Sequence, residues 1–522
     1  MRKFNQFAIM TELNLVPGSK LKLKSLFVLS FLVISSFSFA QNLTSSPYSR
    51  YGLGDLSGNA SSQNFSLGGA GIGWRSDTLT PSYVNFINPA SYSAMRITVI
   101  ELGLMSNSTQ FITNDQKFTL NNTSFSYLAV GLPIKKWWGL AFGVMPYTNV
   151  GYKIHDTQAK DTLGVVNYNY EGTGGINKVY IGNGFKLLKD KFSQRTGTDL
   201  SIGFNASYVF GSINNIRHVS YEDPNYYGTR IDENTRIHDF TFDYGLQFKF
   251  RIDSLKKRNP KLKTGCARLV DGKCVVYNGC KADTSRHSNK VIYMITDSAT
   301  HIEKKRVRTD IEDVYVCLGL TYAPAVDLSS SFDLLARNYI MPGSLEIYKD
   351  TIINQQNQST SAHIPQRFGI GLSVNKSYRW NILADYTYQQ WSTYTFNGVN
   401  GGLQNSMQGS LGFQFQPALT GSYFKIARYR MGLKYNQTYL DLRDTKLTEY
   451  AFTFGAAFPV AISGIKHKYD TRMYRNYSMV NIGVELGQMG TTSNGLIKEN
   501  YGRIVLGFTI NDRWFQHFKY ND

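Results

Sequence analysis

The chain has 522 residues, and only 18% of them are charged, against about 25% in an ordinary globular protein. With 42% hydrophobic and 14% aromatic residues it has apolar surface enough for a core, which excludes a disordered chain. A mean hydropathy of -0.28, with no run of about 20 apolar residues past the N-terminal region, excludes a bundle of membrane helices. What remains is a large all-β protein.

In chain order, Lys20, Lys22 and Lys24 precede an apolar run from Leu26 to Ile34, and Ser38-Phe39-Ala40 follows it. A basic, apolar, small-residue succession of this kind predicts a signal peptide over residues 1–40, with the mature chain starting at Gln41. Residues 41–95 are rich in Gly, Ser and Asn and show no alternation. From residue 96 to 522 the pattern is period two. Phe240, Phe242, Tyr244, Leu246, Phe248 and Phe250 alternate with Asp239, Thr241, Asp243, Gly245, Gln247 and Lys249.

Runs of this kind predict strands at 96–110, 122–133, 137–154, 164–187, 199–217, 235–252, 312–338, 364–375, 379–392, 408–416, 428–440, 447–460, 476–488 and 499–510. Large aromatics on one face with Gly, Ser, Asn and Asp on the other fit lipid outside and a polar lumen inside. Behind a signal peptide, these runs predict a 14-stranded antiparallel transmembrane β-barrel of the bacterial outer membrane. With both ends in the periplasm, short turns such as Ile134-Lys135-Lys136 fall inside and the longer polar stretches 218–235 and 339–363 fall outside. Asp239, Asp243, Gln247 and Lys249 are expected to face the lumen. Gly172-Thr173-Gly174-Gly175 is expected to be a bulge or kink in the fourth strand.

A barrel of this width is not filled by its own side chains, so residues 41–95 are expected to form a hatch in the lumen. Leu67-Gly68-Gly69-Ala70-Gly71 and Asn88-Pro89-Ala90-Ser91 resemble the hatch of FadL-type outer-membrane proteins. The ordered set Ile364-Pro365-Gln366-Arg367-Phe368-Gly369, Trp380, Asp385, Trp391-Ser392 and Glu449-Tyr450 to Phe458-Pro459 is similar to later strands of that family. The resemblance implies uptake of hydrophobic compounds through a hatch-gated lumen with lateral exit into the bilayer, and a gate shaped by Gly69, Ala70, Gly71, Asn88, Pro89 and Ala90. Polar external stretches such as Asn354-Gln355-Gln356-Asn357 favour a second reading, an accessory barrel of a protein secretion or outer-membrane assembly complex.

Residues 253–311 break the strand pattern and match no part of that family. Residues 253–310 carry 14 Lys and Arg against 6 Asp and Glu, over half the charge of the mature chain. By strand parity this insertion between strands six and seven hangs in the periplasm. Val270-Asp271-Gly272-Lys273 is a hairpin signal. Cys266, Cys274 and Cys280 are expected to form at least one disulfide, with Cys317 near the periplasmic mouth as the fourth candidate. The charge reads either as a solvated surface or as a docking element for a periplasmic partner or an anionic headgroup.

Eight scattered His residues and the absence of H-E-x-x-H, G-x-S-x-G and P-loop patterns point away from an enzyme, and no cofactor or metal site is expected. The partners expected are outer-membrane lipid, a hydrophobic small molecule and periplasmic or outer-membrane proteins, not nucleic acid.

Overall fold

The structure is a computed structural model that describes residues 46–58, 60–75, 83–161, 163–223, 225–252, 267–270, 273–276, 314–341, 345–376, 379–418, 422–460 and 478–512. Fourteen strands close into an antiparallel barrel. They are β1 (Thr98–Ile112), β2 (Lys117–Lys135), β3 (Trp138–Lys160), β4 (Gly164–Lys186), β5 (Asp199–Tyr221), β6 (Gly228–Arg251), β7 (Val314–Ala323 continued as Val326–Ile340), β8 (Ile347–Ile364 continued as Arg367–Lys376), β9 (Trp380–Gln389), β10 (Ser406–Phe415), β11 (Arg428–Leu442), β12 (Thr445–Val460), β13 (Ser478–Met489) and β14 (Lys498–Asp512). Closure comes from β1 on β14, in unbroken register from Thr98 opposite Asp512 to Ile112 opposite Lys498. Closure joins the two ends of the sheet, the form in which β-structure crosses an outer membrane.

The alternation sets which side chains meet lipid. Phe240, Phe242, Tyr244, Leu246 and Phe248 are all exposed on the outer surface, while Gln247 between two of them is fully buried. Ile370, Ile382, Leu411 and Leu433 continue the outer belt on β8 to β11. Among the described residues no helix is long and apolar enough to cross a membrane.

Both ends of the barrel chain, at Thr98 and Asp512, open onto one rim, here the near rim; the hairpins β1–β2 and β5–β6 turn at the far rim. The stretches 218–235 and 339–363, expected as loops, are mostly strand: β5 and β6 pair to Val219–Thr229, and β7 and β8 pair to Ile340–Ile347. Their polar composition concealed this, because a hairpin standing in water needs no apolar face. Pro324 and Pro365, which lack the N–H a ladder requires, sit where β7 and β8 break. Gly174 and Gly175 have positive φ and lie in β4 opposite Val150 and Asn149, next to a bulge at Tyr147 of β3, so the fourth strand is irregular where expected. In the insertion, Ala267–Val270 and Lys273–Val276 form the expected hairpin. The side chains of Cys266, Cys274 and Cys280 lie outside the described residues, and so do residues 1–45, which include the expected signal peptide. Cys317 is buried at the near-rim end of β7.

Candidate functional site

The described residues between 46 and 95 pack against inward-facing side chains of the strands. Two stretches, residues 62–74 and 84–94, lie toward the near rim. Gly69, with φ +85°, and Gly71 belong to a tight turn that no larger residue fits: a Cβ on Gly71 would stand 2.3 Å from Asn64 Nδ2. The Asn64 side chain donates to Ala70 O at 2.9 Å. Asp385 of β9 accepts from the backbone N–H of Gly71 at 2.6 Å and of Ile72 at 2.7 Å. Asn88 caps the 3-10 turn Pro89–Ala94 through Ala90 N. Its amide donates to Ile72 O at 2.8 Å and, across to the wall, to Leu246 O at 3.2 Å and Leu320 O at 3.3 Å. Gln247 donates to Ile72 O and Trp74 O at 2.9 and 3.1 Å.

The wall is shaped to receive this segment. Inward glycines of β5, β6 and β7 let the segment come close to the wall: a Cβ on Gly203 would lie 2.4 Å from the backbone at Pro89 C, on Gly245 2.1 Å from the side-chain oxygen Asn88 Oδ1, and on Gly319 2.1 Å from the backbone at Ile72 O. Arg75 bridges to Asp199 at 3.0 Å, and Gln63 joins Glu101 to Arg430. The six residues expected to shape a gate are thus assembled near the near rim, and of the four expected lumen residues Gln247 shares the acceptor Ile72 O with Asn88.

The other three act elsewhere. Asp239 accepts from Ser329 N and Oγ, both at 2.9 Å. It spans the stretch where β6 lacks a strand partner in β7, between Tyr244 opposite Tyr322 and Ile237 opposite Ser330. Asp243 pairs with Arg367 of β8 at 2.7 Å. The Lys249 ammonium lies 4.2 Å from the Tyr315 ring centroid at the near rim.

The far half of the lumen departs from the expected polar interior. Residues 48 and 53 pack into an apolar cluster with Val209, Ile213, Leu328, Trp391 and Tyr439. Tyr439 donates to Gly54 O at 2.7 Å, and Tyr48 donates to Ile497 O at 2.6 Å. The alternation could not show this, because inward positions at that height, such as Val209 and Ile237, are apolar singly among polar neighbours.

A seam runs down the wall beside this cluster. β2 and β3 pair only from Leu128 opposite Val144 to Lys135 opposite Trp138. Beyond that, residues 117–127 of β2 pair with β1 alone. Pro146 and the bulge at Tyr147 turn β3 away at this height. The lip of β3 is taken by the N-terminal segment: Asp55 and Leu56 pair with Asn149 and Thr148, Ser57 N donates to Tyr147 O at 2.9 Å, and Ser46 N donates to Gly151 O at 3.2 Å. Two concavities of about 1160 and 840 Å³ lie on the outer, lipid-facing wall, the first beside Leu411 and Leu433 and the second beside Phe204 and Tyr244. Among the described residues no cluster of three or more His, Cys, Asp or Glu side chains could hold a metal ion.

A family model described as BamG matches residues 22–264 and 306–521. The gap between the matched stretches falls within the insertion. No curated protein matches the chain. Solved structures similar to it include the toluene transporter TbuX of Ralstonia pickettii, with 11% identity and a TM-score of 0.46 over 87% of this chain and 99% of that one. The toluene transporter TodX of P. putida has 13% identity and a TM-score of 0.46 over 89% and 100%. A FadL homologue of Pseudomonas aeruginosa has 10% identity and a TM-score of 0.47 over 87% and 98%.

Proposed function

Starting from the chain's membership of the BamG family, we propose that this barrel is an outer-membrane channel that admits hydrophobic small molecules. The observation that carries the reading is the seam between β2 and β3 beside an apolar far half of the lumen. In this reading the near rim faces the periplasm and the far rim the exterior. Residues 41–95 are the hatch, and Gly69, Ala70, Gly71, Asn88, Pro89 and Ala90 anchor its inner part. An apolar molecule enters the far half, displaces the segment Ser46–Ser57 from the lip of β3, and leaves through the seam. Water-filled pores have no use for apolar lining, whereas a hydrophobic solute is stabilised by it at every step.

The test is a reversible lock. Asn149 Nδ2 lies 3.1 Å from Ser57 Oγ, so the double variant Ser57→Cys/Asn149→Cys can tie the segment to the lip. Uptake of a radiolabelled monoaromatic hydrocarbon by cells is expected to fall on oxidation and return on reduction. Equal uptake by oxidised and reduced protein, or by cells with and without the barrel, overturns the reading.

A second reading, an accessory subunit of a secretion or assembly complex, is favoured by the backbone-to-backbone seating of Pro89 on Gly203 and Ile72 on Gly319, which suits a permanent plug. The insertion at 253–311, leaving from the near rim, would be its docking element in the periplasm, held by at least one disulfide among Cys266, Cys274 and Cys280. Purification in mild detergent separates the two: stoichiometric envelope proteins support this reading, and an isolated barrel the first.

A further inference from the structure

The seam has two lips, and among the described residues only one is occupied. On β3 the chain's own residues Asp55 and Leu56 add a short strand at Asn149 and Thr148. Facing it, residues 117–125 of β2 hold regular register with β1, from Lys117 opposite Ile112 to Phe125 opposite Leu104, and among the described residues no strand pairs with their other side. Thr113 N donates to Gln116 O at 2.9 Å, which sets the phase of the ladder. The N–H and C=O groups of residues 118, 120, 122 and 124 turn to β1, and those of Lys117, Thr119, Asn121 and Thr123 turn to the seam.

Beyond Phe125 the bare lip is polar on its outward side. Outward side chains change from Leu102, Leu104 and Phe125 to Ser106, Ser108 and Thr123 at the height where β2 parts from β3. From Phe118 to Phe125 the lip has no charge and no proline, the two devices that ordinarily blunt an exposed edge. An extended polypeptide satisfies this row of backbone donors and acceptors.

We infer that the lip Lys117–Phe125 of β2 is a strand-addition site for an extended segment of another polypeptide on the far side of the membrane. The inference goes beyond the channel reading and takes from it only the assignment of the far rim to the exterior. A second copy of this chain does not fit. Barrel strands tilt by about 40° from the membrane normal, so two copies related by rotation about that normal cross their β2 strands at roughly 80° and cannot align them. The partner segment spans about nine residues and tolerates Thr, Asn and Ser as cross-strand neighbours.

Hydrogen exchange of the full-length protein in isolated outer membranes, compared with the same protein purified in detergent, tests this. The amides of Thr119, Asn121 and Thr123 are expected to slow by about tenfold or more in membranes, the worth of one net hydrogen bond. Those of Leu120 and Asn122, bonded to β1, are expected to be slow in both. Asn121→Pro removes an N–H that faces only the seam, so it is expected to abolish the protection at Thr119 and Thr123 while the barrel keeps its heat-modifiable mobility. A photoreactive side chain at residue 121 is expected to give one adduct of defined mass. Equal exchange in the two preparations, protection that survives Asn121→Pro, or an adduct with the mass of a second copy overturns the inference. Hydrocarbon uptake is read in parallel: its loss or retention bears on the channel, and the alternating amide pattern bears on the lip.

Discussion

Asp385 is a carboxylate on a strand whose work is to hold another segment's backbone. Its two bonds to Gly71 and Ile72 are charge-assisted, and such bonds contribute about 1.5–3 kcal/mol each. Asp385→Ala is therefore expected to release the Gly71 turn by about 3 kcal/mol, read as faster hydrogen exchange across residues 66–74. Asp385→Asn, which still accepts from both N–H groups, should lose less. The inward glycines act by omission. At Gly203 a valine would drive into Pro89 and Ala90, and Gly203→Val is expected to unseat the segment Asn88–Ala90 and raise cell permeability to bulky antibiotics while the barrel still folds. Gly409, with nothing within 4 Å of a Cβ, serves as the control: Gly409→Ala is expected to leave permeability unchanged.

At the scale of elements, the alternation that made β6 legible was the alternation of lipid against lumen, and it named the correct face for Tyr244 and Gln247. It ended where the bilayer ends. The far parts of β7 and β8, with Asn354, Gln355 and Gln358 on both faces, form a hairpin in water and carry no such signal. The seam was equally hidden, since pairing between neighbours leaves no trace in either strand; Pro146 was the single local hint. Asn88 and Gly71 stood out in the sequence through a resemblance, whereas the wall and segment residues Asp385, Arg75 and Gln63 depend on contacts more than a hundred residues apart or on ordinary polar residue types. One element has a pH signature of its own. Asp190, opening the short helix α1 (Asp190–Thr196) between β4 and β5, accepts from Lys186 Nζ at 3.0 Å, and this bond holds its carboxyl below the usual range. A lowered carboxylate adds stability above its ordinary pKa and loses it as pH falls through the folded value. Exchange at the amides of α1 is therefore expected to quicken below about pH 4, and Asp190→Asn to remove that dependence.

For the whole molecule, strand parity decides where the foreign segment lies. β6 ends and β7 begins on the rim that also carries Thr98 and Asp512. Residues 253–311 are accordingly expected to resist added protease in intact cells and to be cut once the outer membrane is permeabilised. Cleavage in intact cells would invert the orientation of the whole barrel. Mass spectrometry without reduction is expected to show at least one disulfide within Cys266, Cys274 and Cys280, and four free thiols would remove the staple from the insertion.

The position of Ser46–Ser57 constrains how the molecule is made. These residues come first in the described chain, yet they lie in the far half of a cylinder whose wall is closed last, by β1 meeting β14. A finished wall leaves no room to thread them past the glycine-seated turn at Gly71 and Pro89. The segment must therefore be in place while the sheet is still open, and the sheet must curl around it, so the order of assembly runs opposite to the order of enclosure. It follows that a folded fluorescent protein fused just ahead of Ser46 has no passage to the interior and should block biogenesis, whereas the same fusion after the last strand should be tolerated.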